Sequence, residues 1–430
     1  MVFSIKHEMN IYKFGGASVK DAAAIQNVVD IVRQKRRPLV IVVSAIGKTT
    51  NALERLWTAY VRADEQAVQE ALERVCRFHR QLISELGHSS AQFNEAFEAT
   101  VLELCEHLST PASASAAYDY DQLVSYGEIW STIIVEQALR AGGIRSQWMD
   151  ARQLIRTSDH HQEARVDWAT TQQLICQEIS FEREGAPACV VTQGFIGHTS
   201  QGATTTLGRE GSDFSAAILA WALDAAEVWI WKDVPGLLNA DPKFFENTVK
   251  IDRISYREAI ELSYFGASII HPKTLKPLQN KHIPLRIKCF TRPHTEGTII
   301  HLDESHDSNQ PSYIYKRNQL LITISPTDFS FIMEDHISVI FNVFAKHGVK
   351  VHLMQNSALN FSVCADVKPA MRAALFEELN ADFLVRYNED VDLYTVRHYE
   401  TEELPAQFQG KTVLLQQRSR STLRYVLGGG

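Results

Sequence analysis

The run Thr204-Thr205-Thr206-Leu207-Gly208-Arg209-Glu210-Gly211-Ser212-Asp213 places two glycines and an arginine just ahead of an apolar helical face of Ala216, Leu219, Ala220 and Leu223. The first turn of a helix leaves backbone N–H groups free, so this spacing predicts an anion-binding turn with Ser212 as the helix cap. Arg209 adds a fixed fork of donors suited to a carboxylate or phosphate. Taken alone, an ordinary loop closing a βα unit reads the same way. A second candidate is Ile11-Tyr12-Lys13-Phe14-Gly15-Gly16-Ala17-Ser18-Val19, where a lysine ends a short apolar strand and two glycines let backbone approach a phosphate. The bland alternative is a solvated lysine before a routine turn.

Three further stretches follow apolar strands or open helices. Gly47-Lys48-Thr49-Thr50 lacks the first glycine of a Walker nucleotide loop, because Val42 stands in its place. What remains is Ser44 to Asn51 at the carboxyl end of a strand, where open α/β sheets bind ligands, and the hydroxyls of Ser44 and Thr50 suit a small polar substrate or a helix cap. In Ser125-Tyr126-Gly127-Glu128 a carboxylate opens a helix, where it either answers the helix dipole or recognises an ammonium group. Trp231 to Lys243 supplies Lys232, Asp233, Asp241 and Lys243 on loops, with solvated lysines as the plain reading.

The elements that must carry these residues alternate short β-branched runs (Leu39–Val43, Ala188–Thr192, Val228–Trp231) with longer helical patterns, as in a mainly parallel sheet covered by helices on both faces. Residues Asn51 to Glu106 read as a helical flank of two helices punctuated by Gly87-His88-Ser89-Ser90. The polar stretch from Asp303 to Ser312 reads as a linker. Beyond it the pattern becomes βαββαβ, with strands at Leu320–Ser325, Val349–Met354, Asn360–Val367 and Phe383–Tyr387 and helices near Ile337–Lys346 and Pro369–Leu379. Two more strands, Asp392–Tyr399 and Thr412–Gln417, follow, either a truncated second copy or an added edge. A net charge of −8 gives no footprint for nucleic acid, and no apolar run reaches the ~18 residues of a membrane span. Six cysteines without a CxxC pair, and no leader-like N-terminus, suggest a cytoplasmic protein.

Taken in order, Lys13-Phe14-Gly15-Gly16-Ala17-Ser18-Val19, Ser125-Tyr126-Gly127-Glu128, Thr205 to Asp213, Asp233-Val234-Pro235-Gly236 with Asp241-Pro242, and Tyr264 to Pro272 resemble aspartokinase. The resemblance implies an amino acid kinase fold over 1–302, a linker over 303–317 and a ferredoxin-like ACT regulatory region over 318–430, with one complete ACT unit to about 388 and a truncated second one. It implies MgATP-dependent phosphorylation of L-aspartate, opening lysine, threonine and methionine biosynthesis. Lys13, Asp213 and Arg209 would be catalytic. Ser44, Thr50, Glu128, Arg209 and Ser212 would bind substrate, Glu128 taking the amino group and Arg209 the α-carboxylate. Lys13, Phe14, Gly15, Gly16, Lys232, Asp233, Leu238, Lys243 and Ser268 would meet ATP; no metal-ligating residue is assigned. A homodimer through the ACT sheet edges is expected.

Several positions depart from the family pattern. Ser268 stands where a lysine is usual, Lys232 where threonine is frequent, Glu210 where glycine is common and Lys243 where arginine is common. Lys232 would restore the charge missing at Ser268. In lysine-inhibited relatives the strand-loop after the first ACT helix carries acidic residues, whereas His352 and Ala358 stand here, so lysine inhibition is expected to be weak or lost, or replaced by threonine. The competing reading is an amino-acid sensor whose kinase site has decayed.

Overall fold

The computed structural model describes residues 9–34, 38–87, 90–182, 185–267, 270–308, 310–328 and 330–429. They form two compact units, one of Met1–Leu237, Lys250–Ile260 and Ile270–Glu304, the other of Leu238–Val249, Glu261–Ile269 and Ser305–Gly430.

The first unit holds β1 (Asn10–Phe14), β2 (Leu39–Val43), β3 (Ser146–Met149), β4 (Cys189–Gln193), a hairpin of β5 (Ile196–His198) and β6 (Thr204–Thr206), and β7 (Glu227–Lys232). After two short strands, β8 (Leu237–Leu238) and β9 (Lys250–Ile251), come β10 (Arg253–Ser255), β11 (Leu285–Cys289) and β12 (Thr298–His301). Eight strands join in the order β10-β12-β11-β7-β1-β2-β4-β3. Only β11 and β12 pair antiparallel in that sheet as described; the other neighbours run parallel.

β1 and β2 are buried along their whole length, which is why their sequences are nearly continuous apolar runs rather than alternating ones. Tyr12, Phe14, Ile41 and Val43 pack into one core with Ile25, Leu53, Phe97 and Trp130. Lys13, one residue out of phase, points to the other face. The strand after β1 in sequence lies on one side of it and β7 on the other, so the carboxyl end of β1 opens a crevice of the kind that binds ligands in such sheets.

The helices of this unit's chain segments are α1 (Ala22–Arg33), α2 (Thr49–Val61), α3 (Glu65–Leu86), α4 (Ala91–Leu108), α5 (Ala116–Val124), α6 (Tyr126–Ala141), α7 (Ala151–Leu154), α8 (Trp168–Glu178), α9 (Gly211–Leu223), α10 (Tyr256–Phe265) and α11 (Pro272–Asn280). The helical flank therefore has three helices, not two. The chain breaks at Ala63, whose φ of 54° is left-handed, and the Asp64 side chain then accepts from the Ala67 N–H to cap α3. Part of the one expected break, His88 and Ser89, lies outside the described residues. A buried polar knot ties β4 to the helices. Gln193 accepts from the Ala151 N–H at 2.6 Å and donates to the Thr132 hydroxyl at 2.7 Å, which also accepts from the Trp148 indole at 2.9 Å.

The second unit carries β13 (Ser312–Pro326), α12 (Glu334–Lys346), β14 (Lys350–Asn356), β15 (Phe361–Asp366), α13 (Pro369–Leu379), β16 (Phe383–Arg397), β17 (Thr412–Arg418) and β18 (Thr422–Gly428). The strands form one sheet, β14-β15-β13-β16-β18-β17, antiparallel throughout. Ile340, Phe344, Leu375 and Leu379 of α12 and α13 cover Leu320, Ile322, Ile324 and Val363.

Four expectations change here. The strand read from Leu320 begins at Ser312, inside the expected linker, because Tyr313, Ile314 and Tyr315 extend it by pairing with Val396, Thr395 and Tyr394. The two strands read at 383–387 and 392–399 are one strand of 15 residues, since Asp390 takes a φ of 53° within it instead of ending it. β18 went unread, its apolar residues being interrupted by Arg424. Segments Leu238–Val249 and Glu261–Ile269 group with this sheet rather than with residues 1–302, Phe245 stacking on Tyr313 and Tyr394 and the guanidinium of Arg424 lying 4.9 Å over the Phe265 ring.

The Gln193 knot has a measurable consequence. Gln193→Leu keeps the volume but strands the buried Ala151 N–H and removes one donor from the Thr132 hydroxyl, so chemical denaturation should show a loss of about 1–3 kcal/mol; an unchanged midpoint would mean that the knot contributes nothing.

Candidate active site

The β1 strand delivers Lys13 to the crevice, and the chain then turns at Gly15 and Gly16 into a single 3-10 turn. A Cβ on Gly16 would come within 2.7 Å of the Ala45 carbonyl oxygen and 2.9 Å of that of Gly47, both backbone atoms that cannot swing away. Glycine is therefore what lets the loop after β1 lie against the loop after β2, and the Gly47 N–H donates to the Gly16 carbonyl at 3.1 Å. The Phe14 side chain faces away from this opening, fully buried and stacked on Trp231 at 5.8 Å.

The Lys13 ammonium meets Asp213 Oδ1 at 2.5 Å, with side chains 11% and 5% exposed. Asp213 stands in the first turn of α9, where the helix dipole favours a carboxylate. Lys232, at the end of β7, lies 3.8 Å from the other oxygen. Burial alone would raise the Asp213 carboxyl, but Lys13, Lys232 and Lys273 outweigh it and hold the group below the ordinary range. It is a permanently charged carboxylate between cations.

Ser212 does not cap α9. The capping position is Glu210, which adopts a left-handed φ of 54° where a glycine would be unstrained, and Ser212 falls within the helix. The Glu210 carboxylate is turned away from the anion-binding turn and accepts the His271 N–H at 2.8 Å. Lys273 donates to the Leu207 carbonyl at 2.9 Å. The loop that carries exposed Arg209 is thus stitched at two points to the start of α11.

Glu128 enters from the first turn of α6, 3% exposed. Its Oε1 accepts the Ala45 N–H at 3.3 Å, while Oε2 is buried and has no hydrogen-bond partner among the described residues. Desolvation raises its carboxyl to about 8. An acceptor left buried and unpartnered calls for a ligand donor.

These groups share one cleft of about 840 Å³, lined by Lys13, Gly15, Gly16, Ser44 and Thr50 from the first two loops, by Glu128, and by Arg209, Ser212, Asp213, Lys232 and Asp233. Leu238 and Lys243 belong to the second unit, where the Lys243 N–H donates to Asp241 at 2.9 Å. Ser268 lies outside the described residues. The cleft also gains Glu54, Trp57, Tyr120, Gln162, Glu163 and Phe195, none of which the sequence singled out. Tyr120 donates to Glu54 at 3.0 Å. Gln162 is placed by Asp121, a fully buried carboxylate that accepts its N–H at 3.1 Å, His161 Nδ1 at 2.7 Å and the Thr206 hydroxyl at 2.6 Å.

Comparison with known proteins follows the same lines. The sequence profile of the amino acid kinase family matches residues 8–289. Lysine-sensitive aspartokinase 3 of Escherichia coli is 32% identical over 360 residues, spanning 84% of this chain and 78% of that protein. Chloroplastic aspartokinase 1 of Arabidopsis thaliana is 30% identical, spanning 83% of this chain and 63% of that protein. Of the bifunctional aspartokinase/homoserine dehydrogenase 2 of Zea mays, 31% identical, the match spans only 41%. Among solved structures, E. coli aspartokinase III in complex with lysine and aspartate superposes with a TM-score of 0.82 at 28% identity, over 98% of this chain and 96% of that one. Its complex with aspartate and ADP gives 0.80.

The raised Glu128 carboxyl carries a sign that can be tested in the free protein. Folded, it keeps its proton up to about pH 8; an unfolded glutamate releases it near pH 4.5. The fold thus binds more protons across that window and loses stability as pH rises through it. Glu128→Gln should flatten the decline, melting a few degrees above the parent at pH 8 and little differently at pH 5; identical pH slopes would contradict the assignment.

Proposed function

The chain belongs to the amino acid kinase family and, within it, to the aspartokinases; we propose that it transfers the γ-phosphoryl group of ATP to the β-carboxylate of L-aspartate, giving 4-phospho-L-aspartate. The observation that carries this reading is the unpartnered, buried Glu128 Oε2 in the same cleft as Arg209 and the Lys13–Asp213 pair. An α-amino acid fits such a set: its ammonium answers Glu128, its α-carboxylate answers the Arg209 fork, and its second carboxylate is left to react.

Phosphoryl transfer asks mainly for alignment and for stabilisation of spreading negative charge. In this reading one β-carboxylate oxygen forms the new bond to the γ-phosphorus while the bond to the ADP oxygen breaks. The nucleophile is already an anion, so no side chain has to remove a proton. Lys13, aimed by Asp213, and Lys232 supply cationic charge to the transferring group, and Gly15 and Gly16 open their backbone N–H groups to it. With Asp213 taken up by Lys13 and Lys232, Asp233 is the cleft aspartate that would hold Mg²⁺ with the nucleotide, and the ion would neutralise phosphate charge there. Ser268 is kept as a nucleotide contact in the proposal, as is the ACT character of the second unit.

We further propose a homodimer through the edge strands of the second unit's sheet, β14 and β17, where Met354, Val413 and Leu414 are exposed. Regulation should differ from that of the lysine-sensitive E. coli relative. His352, on β14, hydrogen-bonds the Lys316 ammonium at 3.0 Å, and burial together with Lys316 and Arg424 depresses its imidazole to about 4. This surface is cationic where a lysine effector would bring further cations.

Aspartyl phosphate trapped as its hydroxamate should form with L-aspartate and MgATP but not with L-glutamate. Glu128→Gln should raise KM for aspartate by roughly 100-fold, a charged hydrogen bond being worth about 1.5–3 kcal/mol. No product with any amino acid would instead favour the sensor with a decayed kinase site. In the same assay, lysine at concentrations saturating for a lysine-sensitive enzyme should leave most activity intact, and tight lysine binding by calorimetry would refute the altered-effector reading.

A further inference from the structure

A second concave site in the first unit stands apart from the cleft. It measures about 460 Å³, and its lining includes Asp150, Arg152, Gln153, Arg156, Leu174 and His198. Asp150 is committed to Arg152, which meets it through Nε at 2.9 Å and Nη2 at 2.6 Å. Arg156 and His198 are neighbours across an isolated parallel bridge, so both side chains are delivered to one place. Arg156 Nε and His198 Nδ1 are each buried and without a hydrogen-bond partner among the described residues. Asp167 feels Arg156 electrostatically, yet its carboxylate is taken up in capping α8 through the Thr170 N–H and hydroxyl. With Asp150 paired to Arg152, the pocket retains the charge of Arg156, whose buried Nε lacks an acceptor, beside the His198 ring, whose buried Nδ1 is unpartnered.

Buried donors of this kind are rare unless something supplies the missing acceptor. A planar guanidinium beside an imidazole matches an oxyanion better than a neutral ligand. We propose that this pocket binds a small oxyanion of the phosphate class, held by Arg156 and His198 and walled by Arg152. The site also has reach within the unit. The segment leaving Arg156 carries Gln162 and Glu163 to the cleft, and the β5–β6 hairpin, whose first strand ends at His198, leads to Arg209. An anion bridging Arg156 and His198 would pin the roots of both.

The test is calorimetric titration of inorganic phosphate into the full chain, into Lys13→Met, which alters the cleft, and into Arg156→Gln. One binding event with a Kd at or below ~1 mM should persist in Lys13→Met and weaken at least tenfold in Arg156→Gln, while aspartate phosphorylation by Arg156→Gln continues. Arg156→Lys, which keeps the charge without the fork, should fall between, and His198→Gln should also weaken binding, so that a misfolded single variant does not decide the matter. Equal phosphate affinity in the parent and in folded Arg156→Gln would overturn the proposal, as would binding only above ~10 mM, an adventitious ion only.

Discussion

The buried pairing of Lys13 with Asp213 is the interaction around which the cleft is organised. A lone carboxylate at 4% exposure would be neutralised rather than tolerated, and a broken buried pair typically costs about 3–5 kcal/mol. The pair closes only because β1 is an interior strand between β2 and β7, with Tyr12 and Phe14 on the α1–α6 face and Lys13 on the other. Glu128 is the counterpoint. It is equally buried but pairs with no cation, so burial prevails there and the two carboxylates of one cleft are shifted in opposite directions. Environments that push like groups apart in this way are a recurring mark of sites where each has a separate task.

Glu210 illustrates how a departure from a family pattern is absorbed. A glutamate in an anion-binding turn adds unwelcome charge and, at φ 54°, backbone strain. Both costs are offset by one bond, because its carboxylate reaches the N–H of His271, at the positive end of α11. The neighbouring Lys273 reinforces the same seam from the other side through the Leu207 carbonyl. The charge that looked misplaced in the sequence serves as a brace for the loop bearing Arg209.

Much of the architecture was legible because it depends on local pattern. Continuous apolar strands, a lysine at a strand end before two glycines and a glutamate opening a helix all have short-range signatures, and the structure gathers Lys13, Glu128, Arg209 and Asp213 into one cleft. What escaped depends on long-range partners. Gln162 and Glu163 reach the cleft because Asp121 in a distant helix grips their loop, and nothing near them in sequence signals it. Ser212 was misread as a cap because the turn's geometry is fixed by Glu210 bonding a residue 61 positions away. In the second unit the misreadings share one cause: strands that bulge at Asn318 and Asp390 continue past polar residues that ordinarily end a strand.

Those two 15-residue strands, β13 and β16, bear on how the C-terminal half can be taken apart. Each runs through the whole sheet, pairing with β15 or β18 along one part of its length and with each other over nearly all of it. There is no seam at which an evolutionary or engineered cut could release one half intact. A chain ending near residue 388 would stop inside β16 and leave the first part of β13 with an open edge, prone to pair with another chain. The sheet is inherited, lost or transplanted as a whole, and insertions are accommodated in its hairpin tips rather than between its halves.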